Sequence, residues 1–140
     1  MRTRAIAGTS SVVGPPAFIP AFCFSTDAVG DFVYIMGNKV GVNYQVTKVD
    51  IDTTSKMPAV GVIISKSSPT DCVVQVAGVV RGLYSGLVYN KRQFIGSDSR
   101  PATAFVRPLS NFRLVQVLGI AISSDEILLR FETPTVILPV

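Results

Sequence analysis

The sequence predicts an all-β domain, a small antiparallel β-barrel or sandwich with an extended N-terminal arm. Three observations carry that expectation. No window places apolar residues at i, i+3, i+4 and i+7 with a polar face opposite, so an amphipathic helix has no signal. β-Branched runs bounded by Gly, Pro, Asn, Asp and Ser recur at short spacing, the rhythm of short strands joined by tight turns rather than of a parallel α/β sheet. Finally, 140 residues and 15.0 kDa fit one domain around a single core.

The first 25 residues, "MRTRAIAGTSSVVGPPAFIPAFCFS", start basic and continue apolar, as a signal peptide would. Pro15, Pro16 and Pro20 break the continuous apolar region such a peptide needs, and no small-x-small cleavage site follows. A lipobox at Cys23 fails because Phe22 occupies a position that must be small. What remains is a Pro-stiffened apolar arm, residues 1–25, which cannot be helical and is most stable lying across another surface. Its apolar side chains Val12, Val13, Pro15, Pro16, Phe18, Ile19, Pro20 and Phe22 are expected to bind a partner.

A β-rich domain is expected over residues 26–133, with strands at Phe32–Met36, Tyr44–Asp50, Pro58–Lys66, Asp71–Arg81, Lys91–Ile95, Thr103–Arg107, Arg113–Ser123 and Glu126–Glu132. Residues 134–140 form a C-terminal tail. The connections have turn chemistry: "GNK" at Gly37–Lys39, "SSPTD" at Ser67–Asp71, "GSDSRP" at Gly96–Pro101 and "SSDE" at Ser123–Glu126. Two segments echo one another, "VGVIISKSSPTDCVVQV" and "LGIAISSDEILLRF". Each reads as a hairpin opened by a glycine, Gly61 or Gly119, where a bulge or a close backbone approach lets a barrel bend.

Apolar residues make up 48% of the chain and charged ones 16%, with mean hydropathy +0.45. That excess is spread out, because Gly, Pro, Ser or a charge cuts every run before the roughly 18 residues of a membrane span. It fits a subunit that buries apolar surface against neighbours. The net charge of +4 comes from scattered residues, the densest clusters being Arg2/Arg4 and Lys91/Arg92, too sparse for a nucleic-acid-binding stripe. Arg100, Arg107 and Arg113 are candidates for inter-subunit ion pairs or contacts to an acidic neighbour, with a plain solvated face as the alternative.

Chemistry is thin. Without histidine the commonest general base is missing. Asp50 and Asp52 in "VDIDTTS" suggest either a hard-cation site or a solvated turn, and the rest of an EF-hand loop is absent. Asp27 and Asp31 flank Gly30, where short carboxylates hydrogen-bond nearby backbone N–H groups. Cys23 and Cys72 are too few and too far apart for a disulfide framework or a paired zinc site, and read as buried thiols. "RGLYSGL" lacks the lysine and helix of a phosphate cradle. No cofactor, metal or catalytic set is expected, and the chain reads as non-enzymatic.

The order "GLVYNKRQFIGSDSRPA", then "VQVLGIAIS", then a short apolar strand resembles the closing module of tailed-phage structural proteins. The matching positions are Gly86, Leu87, Phe94, Ile95 and Gly96, then Val115, Gln116, Val117, Gly119, Ile120, Ala121 and Ser123. "DAVGDFVYI" and "MPAVGVIISKSSPTDCVVQVAGVV" are similar to the opening half of small β-rich phage head and tail proteins, so the likeness runs from Ala28 to Phe131. It departs at Asn90, where the family's turn has glycine. Because the module nearly fills the chain, the resemblance implies a capsid decoration (cement) protein rather than the tip of a long tail fibre. It further implies a homotrimer on the outer surface of a virion, bound to the major capsid protein, with no direct nucleic-acid or membrane contact. A tail-associated or receptor-binding protein is the alternative. A small trimeric β enzyme with its site between subunits is a third.

Overall fold

A computed structural model describes residues 15–105 and 112–139. The fold is all-β, as expected, and divides its strands between a closed barrel and a second sheet. The barrel strands are β1 (Ala17–Phe22), β2 (Phe32–Ile35), β3 (Tyr44–Lys48), β4 (Gly61–Lys66) and β5 (Asp71–Ala77), closed in the order β1-β3-β2-β4-β5. The second sheet contains β6 (Val79–Arg81), β7 (Arg92–Ile95), β8 (Pro101–Ala102), β10 (Val117–Ala121) and β11 (Glu126–Leu129), in the order β6-β11-β10-β7-β8. A separate two-stranded ribbon pairs β9 (Arg113–Val115) with β12 (Thr135–Ile137). A 3-10 turn at Thr54–Lys56 is the helical element among the described residues.

Alternation along the strands builds two cores. On β2 and β4 the period-2 pleat sends Val33 and Ile63 into the barrel and Phe32 and Val62 out of it. The lumen is filled by Ala21, Cys23, Val33, Val46, Ile63, Cys72 and Val74. Phe32 and Val62 instead pack with Val80, Ile95, Leu118 and Ile127 of the second sheet. Tyr84 stacks on Phe32 at 6.4 Å and Phe131 meets it edge-on at 6.0 Å.

Two expected strands are each split, and one glutamine serves each break. The run Asp71–Arg81 divides at Gly78, whose φ of 86° suits glycine and whose Cβ would lie 2.7 Å from Pro16 Cα. The buried Gln75 amide donates to the carbonyls on both sides of the break, Ala77 at 2.9 Å and Val79 at 3.0 Å. Thus the chain crosses from barrel to second sheet without stranding backbone acceptors. Arg113–Ser123 divides at Gln116, which is 1% exposed. Its Oε1 accepts from Ala59 N–H at 2.8 Å and its Nε2 donates to Ala59 C=O at 3.1 Å. That side chain acts as a surrogate strand, tying the second sheet to the barrel.

The arm is corrected from residue 17 onward. Ala17–Phe22 belongs to the barrel, pairing antiparallel with β5 along its length and parallel with β3 at Ala21 and Phe22. Pro20 is tolerated for a definable reason. Cys23 donates its N–H to Thr70 C=O, so the ladder's period points Ala21 and Ile19 toward β5 and Pro20 away. On that side β3 does not begin to pair until Ala21, so the missing donor costs no ladder bond. The expected tail also contributes β12, and of the strand expected at Thr103–Arg107, Thr103–Phe105 lies outside any strand and 106–107 lie outside the described residues, while β8 forms just before it at Pro101–Ala102.

Both echo hairpins are present, β4–β5 and β10–β11, and each contains a register shift or a glycine contact that only a missing side chain permits. A Cβ on Gly61 would sit 2.5 Å from Val74 Cγ1 and 2.7 Å from Gln75 O. One on Gly119 would collide with the Leu128 carbonyl. Among the described residues no helix is long and apolar enough to cross a membrane.

Candidate interaction surface

The expected contact residues of the arm separate by the pleat of β1. Phe18 and Pro20 are exposed and Phe22 is half-exposed on the outer face, whereas Ile19 lies half-buried against the lumen beside Ala21. Pro15 and Pro16 are exposed ahead of the strand. Val12, Val13 and Arg107 lie outside the described residues.

The other two candidate arginines are engaged within the chain. Arg100 Nε lies 3.3 Å from Asp31 Oδ1, and its Nη2 donates to Val29 C=O at 2.9 Å. Asp31 in turn accepts from Ala28 N–H at 2.9 Å, and Tyr84 donates its hydroxyl to Gly30 C=O at 2.6 Å. One turn, 28–31, is therefore clamped from two sides. Burial pushes the Tyr84 hydroxyl above its ordinary value, against the pull of Arg100. Arg113 binds Asp52 with both Nε (2.8 Å) and Nη2 (3.4 Å), joining β9 to the loop after β3.

The carboxylates noted in the sequence hold turns. Asp27 is buried and accepts from Phe24 N–H at 2.9 Å, Lys48 N–H at 3.2 Å and the Thr47 hydroxyl at 2.9 Å. Asp50 accepts from Asp52 N–H and the Thr53 hydroxyl, each at 2.9 Å. Among the described residues no three His, Cys, Asp or Glu side chains gather to hold a metal ion. Cys23 and Cys72 are free, buried thiols in the barrel lumen. Burial, and then the neighbouring Cys23 side chain, push Cys72 up to about 12, so it stays protonated at neutral pH and is a poor nucleophile.

What the molecule offers in quantity is exposed apolar surface. Val42 is 73% exposed, Tyr89 74% and Leu138 67%, with Phe18, Phe24, Val40, Val88 and Val136 each at least half exposed. Val88 and Tyr89 lie on a loop held against the β10–β11 turn, through Leu87 N–H to Ser124 C=O and Asn90 N–H to Ala121 C=O. Asn90 has a φ of 64°, the left-handed conformation that asparagine tolerates better than other side chains. The sequence offered a signal for this patch in "GLVYN", two large apolar residues between turn formers, but it gives no sign of which side faces solvent. No family model matches the chain, and no curated protein or solved structure matches it either.

Proposed function

We propose that the chain is a virion structural protein: a non-enzymatic capsid decoration (cement) protein that binds the outside of a major capsid protein shell as a homotrimer and stabilises it. The observation that carries this reading is the large apolar surface left outside two filled cores. Where such side chains form a contiguous patch, as Val88 and Tyr89 begin to do on one loop, a partner usually covers it. An obligate interface of about 2,000 Å² at about 25 cal/mol per Å² corresponds to tens of kcal/mol gross, ample for holding a shell together. The resemblance of Ala28–Phe131 to small phage head and tail modules supplies the class of partner, and the thin catalytic inventory agrees with a structural role.

The test is truncation of residues 1–14, which leaves the barrel strand Ala17–Phe22 in place. The truncated protein is expected to keep its strand-rich circular dichroism spectrum and its cooperative unfolding, yet to sediment with capsid shells less completely, or as a weaker trimer, than the full chain. Equal shell binding and equal trimer stability would remove the arm from the proposal. Electron microscopy that located the chain in the tail would favour the tail-associated alternative.

A further inference from the structure

The second sheet carries a groove of about 610 Å³ whose chemistry selects a ligand. Its floor is Val117, Ile120, Leu129 and Phe131, and its flanks carry Arg92 from β7 and Arg130 just past β11. The groove lies at an irregularity: the β7–β10 register shifts between Val117 and Gly119, and Gly119 contributes no side chain. Bulges of this kind re-aim neighbouring side chains and are common beside binding sites.

The two guanidinium groups stand out against the other described arginines. Arg81, Arg100 and Arg113 are each paired with a carboxylate, and Lys48 and Lys66 donate to carbonyls of the 24–27 loop. Arg92 and Arg130 make no ion pair among the described residues. Both are exposed; Arg92 rests over the Phe94 ring at 5.4 Å, which orients it without neutralising it. Glu132 is the one carboxylate on the rim.

We infer that this groove docks an extended segment of another protein in which acidic and apolar side chains alternate, the carboxylates meeting Arg92 and Arg130 and the apolar side chains the floor. A second copy of the chain is a poor occupant. Eight of its nine carboxylates are engaged: Asp27 and Asp31 are buried, Asp52 and Glu126 are ion-paired, and Asp50, Asp71, Asp98 and Asp125 hold their own turns, which leaves Glu132 alone against two arginines. Recognition by the groove is independent of the capsid reading, since it requires no shell.

Fluorescence anisotropy on the full chain tests it with a labelled heptapeptide alternating leucine and glutamate, beside a leucine–glutamine counterpart. The glutamate peptide is expected to bind about tenfold tighter or better, a preference that weakens with added salt. R92S/R130S should abolish the preference, K56S should retain it, and R92E/R130E should transfer it to a leucine–lysine peptide. Equal binding of the glutamate and glutamine peptides, no saturable binding, or a preference surviving R92S/R130S overturns the inference. So does loss of self-association in R92E/R130E without peptide binding, which would assign the groove to a second copy.

Discussion

Replacing Gln116 with leucine keeps the volume of a fully buried side chain but removes both bonds to Ala59. Each bond contributes about 0.5–1.5 kcal/mol, and a buried backbone group left unpaired costs about 1–3 kcal/mol. Ala59 is itself 2% exposed, so water does not readily replace the lost partner. Partial relaxation of the 57–60 segment lowers the sum, and a loss of about 2–4 kcal/mol is expected. Urea unfolding followed by tyrosine fluorescence and circular dichroism measures it. With m near 2 kcal/mol per M, the midpoint should fall by about 1–2 M. Q116E is an informative partner, since its carboxylate still accepts from Ala59 N–H but cannot donate to Ala59 C=O. Protein concentration must be matched, because any self-association would add apparent stability by mass action. A Q116L loss below about 0.5 kcal/mol would refute the role of this side chain as the tie between barrel and second sheet.

G119A should destabilise the fold by about 1–3 kcal/mol, because its Cβ meets the Leu128 carbonyl in a strand pair that has no room to part; thermal unfolding checks it. R100A should cost about 1–2 kcal/mol, reduced from the value for a fully buried pair because the arginine is about one-third exposed, whereas R81A, whose arginine is 67% exposed, should cost less than about 0.5; chemical denaturation at low and high salt separates them. Alkaline pH should destabilise the protein through Cys72. In the unfolded chain the thiol ionises near 9.0, but in the fold it keeps its proton to about 12. The unfolded state therefore binds fewer protons in that window, and stability, fully present below pH 9, falls as pH rises toward 12. C72A should flatten that fall in a pH series of urea midpoints.

The sequence made the hairpins legible because their determinants are local. Gly61, Gly119, "SSPTD" and "SSDE" each fix a bend or turn within a few residues, and both hairpins occur where those signals lie. Asp27 and Asp31 were legible for the same reason, as short carboxylates that close nearby turns, whereas the residues around Asp50 left both a cation site and a turn open to a reading by residue type. Determinants distant along the chain were not. Pro20 argues against a strand until the ladder period shows that its side of β1 is unpaired there. Arg100 and Arg113 look like free cations until the fold brings up Asp31 and Asp52. Gly78 and Gln116 sit inside continuous apolar runs, so nothing local reveals that the chain changes sheets there. The groove flanked by Arg92 and Arg130 depends on a register shift, which no residue type announces.

An averaged electron-microscopy map of the particle that carries this chain is the most direct measurement. A decoration protein predicts trimeric density on the outer surface of the shell, over junctions of the major capsid protein, lost when the chain is omitted and restored when purified protein is added back. Density for the chain confined to the tail, or shells identical with and without it, would contradict capsid decoration.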